Sequence, residues 1–337
     1  MMGRRQSTVR ISQFNAKGEL RLQGYLLKRV LTLFPVLLIV SLVVFMIIHI
    51  TPGDPASIML GEEASPEDIE KLREQLGLNL PIYQQYLNWI LGVLQGDFGY
   101  SYFMDKPVLH AIFEQLGPTL SLSILAELMA ILIAIPLGVV AATKRGTKTD
   151  QSFMGLSLLG ISIPSFLLGL FLILLFAVQL RWLPVAGYQP LSAGLWNHLK
   201  YLLLPAIALG TMQAALIARM TRASMLEILN ANYIKAARSK GVKDWGVIYK
   251  HALRNAFIPI LTVIGQTFGT LIAGAAVTET IFNIPGIGQL IVNSVVRRDY
   301  SVIQGTVLFV TCSYLLINLV IDLLYGVIDP RVKLSRK

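Results

Sequence analysis

The chain is short of charge. Only 14% of its 337 residues are Asp, Glu, Lys or Arg, where a soluble domain carries about 25%. That leaves too little polar surface to cover a globule in water. It has a single cysteine, Cys312, which excludes a disulfide scaffold. Its four histidines, His49, His110, His198 and His251, stand at no metal-ligand spacing. No serine occupies a Gly-x-Ser-x-Gly turn, and no glycine-rich phosphate loop ends in Lys-Ser or Lys-Thr. The chain thus offers no catalytic constellation, no metal site and no nucleotide site of its own. The expectation is a protein that is not an enzyme and binds no cofactor.

What it has in excess is apolar residues, 54% of the total, gathered into six blocks. They run from Arg29 to Ile50, Pro118 to Ala142, Met154 to Val178, Tyr201 to Ala218, Ala256 to Val277 and Val302 to Ile328. Each nears or exceeds the ~20 residues a helix needs to cross ~30 Å of hydrocarbon. The blocks are continuous rather than alternating, so helices and not barrel strands are expected. The fold class is therefore all-α, a polytopic membrane protein with six transmembrane helices. The first block follows 28 polar and mixed residues and no small-residue cleavage site comes after it, so it reads as a span and not a signal peptide. Pro136, Pro164 and Pro205 predict kinks.

The net charge of +10 would suit a nucleic-acid binder, but its placement argues otherwise. Segments 1–29, 143–153, 219–255 and 329–337 hold 22 Lys and Arg, and the opposite side holds 7. This bias places both termini in the cytoplasm. The outer loop 51–116 carries 10 acids and 3 bases. Nucleic acid is thus not an expected partner, and membrane lipid is.

The expected organisation is a cytoplasmic extension at 1–24, then a six-helix domain at 25–337. Three connections are too long to be simple links. In the outer loop 51–116, Ser65-Pro66 starts a helix that Gly77 ends. A second helix starts at Pro81 and places Ile82, Tyr86, Trp89, Ile90 and Val93 on one face, at headgroup level. The basic loop 219–255 is helical from Thr221 to Arg238, breaks at Gly241 and resumes to Asn255. Lacking an apolar core of its own, it is expected to pack on a partner protein. The loop 278–301 contains Asn283-Ile284-Pro285-Gly286-Ile287-Gly288, which fits a re-entrant segment buried in protein.

Two acids lie inside spans, Glu127 and Asp322, and such residues are functional suspects. Asp322 shares a face with Asn318 and Tyr325 and reads as a helix contact. Gly265 and Gly269 permit close helix approach, within the chain or between subunits. Candidates for lining or gating a pathway are Glu127, Gln266, Gly269, Glu279, Pro285 and Gly286.

The basic loop reads Tyr233-Ile234-Lys235-Ala236-Ala237-Arg238-Ser239-Lys240-Gly241, then His251-Ala252-Leu253-Arg254-Asn255-Ala256-Phe257-Ile258-Pro259. This resembles the EAA loop of ABC importer permeases in its peptide/nickel variant. Lys235 stands where the general motif has Glu, and His251 and Arg254 stand where it has Ile and Pro. Those departures match the peptide/nickel branch. Thr51-Pro52-Gly53-Asp54-Pro55, Gly96-Asp97-Phe98-Gly99-Tyr100-Ser101, Pro118-Thr119-Leu120 and Ser162-Ile163-Pro164-Ser165-Phe166 also resemble it. So do Glu279 through Gly288, Arg298-Asp299-Tyr300 and Asn318…Asp322…Tyr325…Asp329-Pro330-Arg331. The resemblance covers about Tyr25 to Lys333, and the long first outer loop is similar to the B-type subunit.

It implies the type I importer permease fold and an ATP-driven importer in a bacterial or archaeal plasma membrane. The implied partners are a second homologous permease, two ATPase subunits that carry the ATP and magnesium, and an extracytoplasmic binding protein. The implied ATPase-coupling residues are Tyr233, Lys235, Ala236, Ala237, Arg238, Lys240 and Gly241. Cargo would be di- or oligopeptides, with nickel-chelate or glutathione as alternatives inside the family. An ion-coupled secondary transporter is the rival from another class, and an intramembrane enzyme lacks the residues.

Overall fold

The computed structural model describes residues 31–61 and 64–328. The extension 1–24 and Asp329-Pro330-Arg331 fall outside the described residues, as do the side chains of Asp322 and Tyr325. Among the described residues, five helices are long and apolar enough to cross a membrane. They are α1 (Leu31–Ile50), α5 (Val108–Thr143), α8 (Leu195–Leu229), α10 (Arg254–Gly274) with its π-helical lead-in Gly246–Leu253, and α13 (Tyr300–Ile328). Shorter helices fill the connections. α2 (Pro55–Leu60), α3 (Pro66–Gln75) and α4 (Ile82–Leu94) follow α1. α9 (Asn232–Ser239) follows α8, and α11 (Ala276–Ile281) and α12 (Ile287–Arg297) follow α10.

The third apolar block is not a single helix. α6 (Lys148–Ser162) and α7 (Ser165–Leu172, continued as a π-helical turn to Gln179) meet at 98°. Pro164 is the cause. It has no N–H to give, and it pushes Ile163 out of the helical region, to φ −86° and ψ 119°. Pro136 and Pro205 do not act this way. α5 and α8 run through them unbroken, so the kinks expected there are not helix breaks. α8 extends the Tyr201–Ala218 block at both ends, to 35 residues, because hydropathy marks where a helix meets hydrocarbon and not where it ends.

Helices in lipid gain little from hiding apolar surface against each other, so close backbone contact has to hold them. α5 and α8 meet in this way. Gly138 faces the Ala218 carbonyl and Thr221, and Gly210 faces the Ala126 backbone. A side chain at either glycine would drive the helices apart. Gly265 and Gly269 likewise face Ile321 and Tyr314 of α13. The Gly-x-x-x-Gly pair is therefore used within the chain.

The 51–116 loop packs on the bundle. α4 lies against α1, with Tyr86 Oη 2.8 Å from Ser41 Oγ and Gln85 Oε1 3.1 Å from His49 Nε2. Phe45 meets the rings of Tyr86 and Trp89. Asp54 caps α2, accepting from the Ser57 N–H and hydroxyl, and pairs with Arg73 of α3. Burial pushes the Asp54 carboxyl up, but these donors outweigh it and hold it below the usual aspartate range. The cap is thus intact at neutral pH and is lost only as pH falls through that lowered value. A two-stranded ribbon, β1 (Tyr100–Ser101) with β2 (Lys106–Pro107), leads into α5.

Candidate functional site

Three places could do work. The first is α9 at the basic end. Ile234 is fully buried in a cluster with Met225, Val247, Ala252 and Ile260. Tyr233, Lys235, Ala236, Arg238, Lys240 and Gly241 are exposed, and Ala237 is half-buried. The helix is thus anchored by one apolar side chain and shows a basic face. Two expectations change here. The loop is not one helix from Thr221, since α8 stops at Leu229 and α9 starts afresh at Asn232. Nor does it lack a core, because Ile234 reaches the end of the bundle.

α9 ends in a Schellman motif. The Gly241 N–H bonds the Arg238 carbonyl at 2.9 Å, and the Val242 N–H bonds the Ala237 carbonyl at 3.2 Å. The motif requires a left-handed residue, and Gly241 has φ +79°. Around the place of its missing side chain there is open space, so its glycine is needed for backbone freedom and not for room.

The second place is a buried knot at the opposite end. Glu279 is fully enclosed, where Thr119 of α5 donates its hydroxyl at 2.7 Å and the Gln289 N–H donates at 3.0 Å. The same Thr119 hydroxyl accepts the Ile287 N–H at 2.8 Å. A side chain at Gly286 would land on the Glu279 carboxylate, and one at Gly288 on the Ala276 backbone. Ser101 donates to Asp299, which also caps α13 at Val302. In the 278–301 loop Thr278, Glu279, Phe282, Ile284 and Gly286 to Gly288 are buried, whereas Thr280, Asn283, Pro285 and Val295 to Arg298 are exposed. Glu279 and Gly286 lie inside it and line no opening, while Pro285 is exposed at its surface.

The third place is a cavity of about 750 Å³ between α6, α8, α10 and α13. Its polar wall is Arg219, Arg222, Gln266, Thr267, Thr270 and Tyr314, and Met154, Leu216, Met220 and Val263 supply the apolar part. It reaches from mid-span at Thr270 and Tyr314 to the basic end at Arg219 and Arg222. Of the six pathway candidates only Gln266 lines it. Gly269 is spent on the α13 contact. Glu127 is buried behind the wall, accepting from Thr267 at 2.8 Å with its other oxygen unpartnered among the described residues.

A bidentate pair braces the rim. Arg222 Nε and Nη2 donate to the two carboxylate oxygens of Asp150 at 2.6 and 2.7 Å. Asp150 also accepts the Gly146 N–H. Its side chain is 5% exposed and that of Arg222 26%, so the pair is only partly shielded from water. Asp150→Asn is expected to cost about 1–2 kcal/mol, less than the 3–5 of a fully buried pair. Thermal unfolding in detergent reads this out. Adding Arg222→Gln should recover most of the loss, and no recovery would show that the pair is not the unit.

The sequence profile described as "Binding-protein-dependent transport system inner membrane component" matches residues 134–334. Its N-terminal companion matches residues 22–123. The chain belongs to this family.

Binding-protein-dependent permeases of known description align along most of it. A probable peptide ABC transporter permease of Sinorhizobium fredii is 41% identical over 309 residues, 92% of this chain and 99% of the relative. A glutathione transport system permease of Escherichia coli (strain K12) is 43% identical over 310 residues, again 92% and 99%. A putative peptide transport system permease of Brucella abortus is 44% identical over 308 residues, 91% and 98%. Among solved structures, a chain of the MetNI methionine ABC transporter in an inward facing conformation superposes with a TM-score of 0.56. It is 19% identical and covers 66% of this chain and 97% of its own length. The permease therefore has the type I ABC importer fold and is a multi-pass membrane protein. As a family member it is the transport component, and ATP is hydrolysed by partner subunits.

Sequence reasoning missed most of the cavity wall. Arg219 and Arg222 were legible only as topology charges. Asp150 could have been noticed as an acid three residues after the cap Thr147. Thr270 and Tyr314 gave no signal, since helical spacing cannot say which face of a wholly apolar helix meets a cavity.

Proposed function

We propose that this permease pairs with a second, related permease to form the pathway of an ATP-driven importer for di- or oligopeptides. A binding protein on the acidic face delivers the cargo, and one of two ATPase subunits engages α9 on the basic face. That face is then cytoplasmic and the membrane is the inner, plasma membrane. The observation that carries the reading is α9. It is a short basic helix, exposed on one side, rooted by Ile234 in the bundle core and stopped by a rigid cap. A push on it would move helices α5, α8 and α10 as a body, which is the hinge-and-rocking class of transition. Peptide cargo is favoured over nickel chelates because the relatives described are peptide and glutathione permeases.

The test is reconstitution of the four-subunit complex with its binding protein in proteoliposomes. Uptake of peptide should require ATP and cease when the ATPase subunits are inactivated. Uptake that survives inactive ATPases would overturn the reading in favour of ion coupling. Mass spectrometry of the ligand held by the binding protein decides the cargo.

A further inference from the structure

We propose that Arg219 forms a subsite in the α6–α8–α10–α13 cavity that reads the C-terminal main-chain carboxylate of the cargo, an inference that rests on the peptide reading above. An arginine at the inner edge of a span is common for reasons of topology. Such residues face headgroups, whereas Arg219 is exposed on the wall of the cavity. Its guanidinium has no ion pair or hydrogen bond among the described residues. The other cation on the wall, Arg222, is already matched by Asp150, and no Asp or Glu among the described residues lines the cavity. Among those residues the space carries one uncompensated positive charge with a planar fork of donors. That fork fits a carboxylate in two parallel hydrogen bonds.

The rest of the wall suits a peptide behind that carboxylate. The Gln266 amide and the Tyr314 hydroxyl have no partner among the described residues. Gln266 can give and accept a hydrogen bond at once, as a peptide unit requires. Met154 and Met220 are adaptable apolar surface, compatible with cargo side chains that vary. A volume of about 750 Å³ falls within the ~300–1,000 Å³ typical of small-ligand sites. Recognition of the main-chain terminus and peptide units leaves side chains unread, so one pathway can carry many sequences.

The test uses the complete transporter in proteoliposomes with three probes. They are trialanine, its C-terminal amide, and Ala-Glu-Ala amide, which keeps a carboxylate only on a side chain. Each is measured with the wild type, Arg219→Gln and Arg219→Lys. The binding protein is the same throughout, so its own preference cancels in the variant-to-wild-type ratio. Arg219→Gln should lower trialanine uptake about tenfold or more, the scale of a lost charge-assisted bond. Uptake of the simple amide should not change, and Arg219→Lys should keep part of the activity. Undiminished trialanine uptake in Arg219→Gln overturns the proposal, as does an equal loss on both trialanine and its amide. A loss on Ala-Glu-Ala amide matching that on trialanine overturns the C-terminal assignment. If the wild type carries no amide, the trialanine arm decides, with rescue by lysine as the supporting result. A wild-type complex that hydrolyses ATP but moves none of the probes defeats the peptide reading itself, a result distinct from failure of Arg219 alone.

Discussion

Gly241→Val is expected to uncouple the assembled transporter. Uptake should fall at least tenfold while ATP hydrolysis continues and the chain stays in the membrane. The cause is local. Gly241 holds φ +79°, where a β-branched residue costs about 1–2 kcal/mol. The strain is relieved by giving up the Schellman bonds to Ala237 and Arg238, and the last turn of α9 frays. Arg238 and Lys240 then lose their fixed direction, while Ile234 and the spans keep their packing. Open space surrounds the Gly241 position, so no clash is added. Gly241→Asn is the control. Asparagine tolerates the left-handed region and should retain most of the uptake. Equal damage by valine and asparagine would mean that the position is read by contact with the partner rather than by backbone shape. Normal uptake in the valine variant would remove α9 from the coupling role.

The span count and the basic end were legible because both are sums over many residues. Twenty apolar residues in a row survive a few local exceptions, as does a bias of 22 against 7 basic residues. The α3 cap was legible because it is local, as the Ser65 hydroxyl accepts the Asp68 N–H. Pro164 was read as a kink, yet identical reasoning placed kinks at Pro136 and Pro205, where the helix runs on. A proline removes one hydrogen bond in each case. Whether the helix survives depends on neighbours that the sequence does not reveal. In α8 the proline is buried and α5 packs alongside. At Pro164 the break lets Gly169 of α7 meet the Phe282 ring.

The pathway candidates were less legible for a related reason. Polar or small residues in a span are candidates for a pathway, and membrane packing draws on the same residues. Gly269 and Gly286 are small because Tyr314 and Glu279 lie against them. Glu127 is polar and buried, but it supports Thr267 and does not itself line the cavity. The cavity wall draws on four helices far apart in sequence. α6 contributes no polar group, α8 two, α10 three and α13 one, too few to mark any single helix as its source. Arg219 is the clearest case, since its charge was counted but its direction could come only from the fold.

Thr119→Val is expected to be as damaging as Gly241→Val, through stability instead of coupling. The Thr119 hydroxyl does two jobs, donating to Glu279 and accepting from the Ile287 N–H. Valine has the same shape and does neither. It leaves a buried backbone N–H without a partner and takes one donor from a fully enclosed carboxylate. Each loss costs about 1–3 kcal/mol, more where a charge is involved, so the sum is about 3–5 kcal/mol. That exceeds the usual cost of a single substitution. It falls on the junction where α5 meets α11 and α12, which also holds the buried cluster of Ile287, Leu290 and Val302. The expected result is a permease that unfolds at markedly lower temperature in detergent, with Thr119→Ser close to wild type. A further variant separates the knot from the threonine. In Glu279→Gln the Thr119 hydroxyl still has an acceptor, but the amide nitrogen then meets the Gln289 N–H, donor against donor, so part of the stability should be lost. An unchanged melting temperature for Thr119→Val would mean that water replaces both bonds and that the junction is not dry. A collapse of Glu279→Gln as severe as that of Thr119→Val would mean that the bond from the Gln289 N–H, and not the Thr119 hydroxyl alone, organises this end of the bundle.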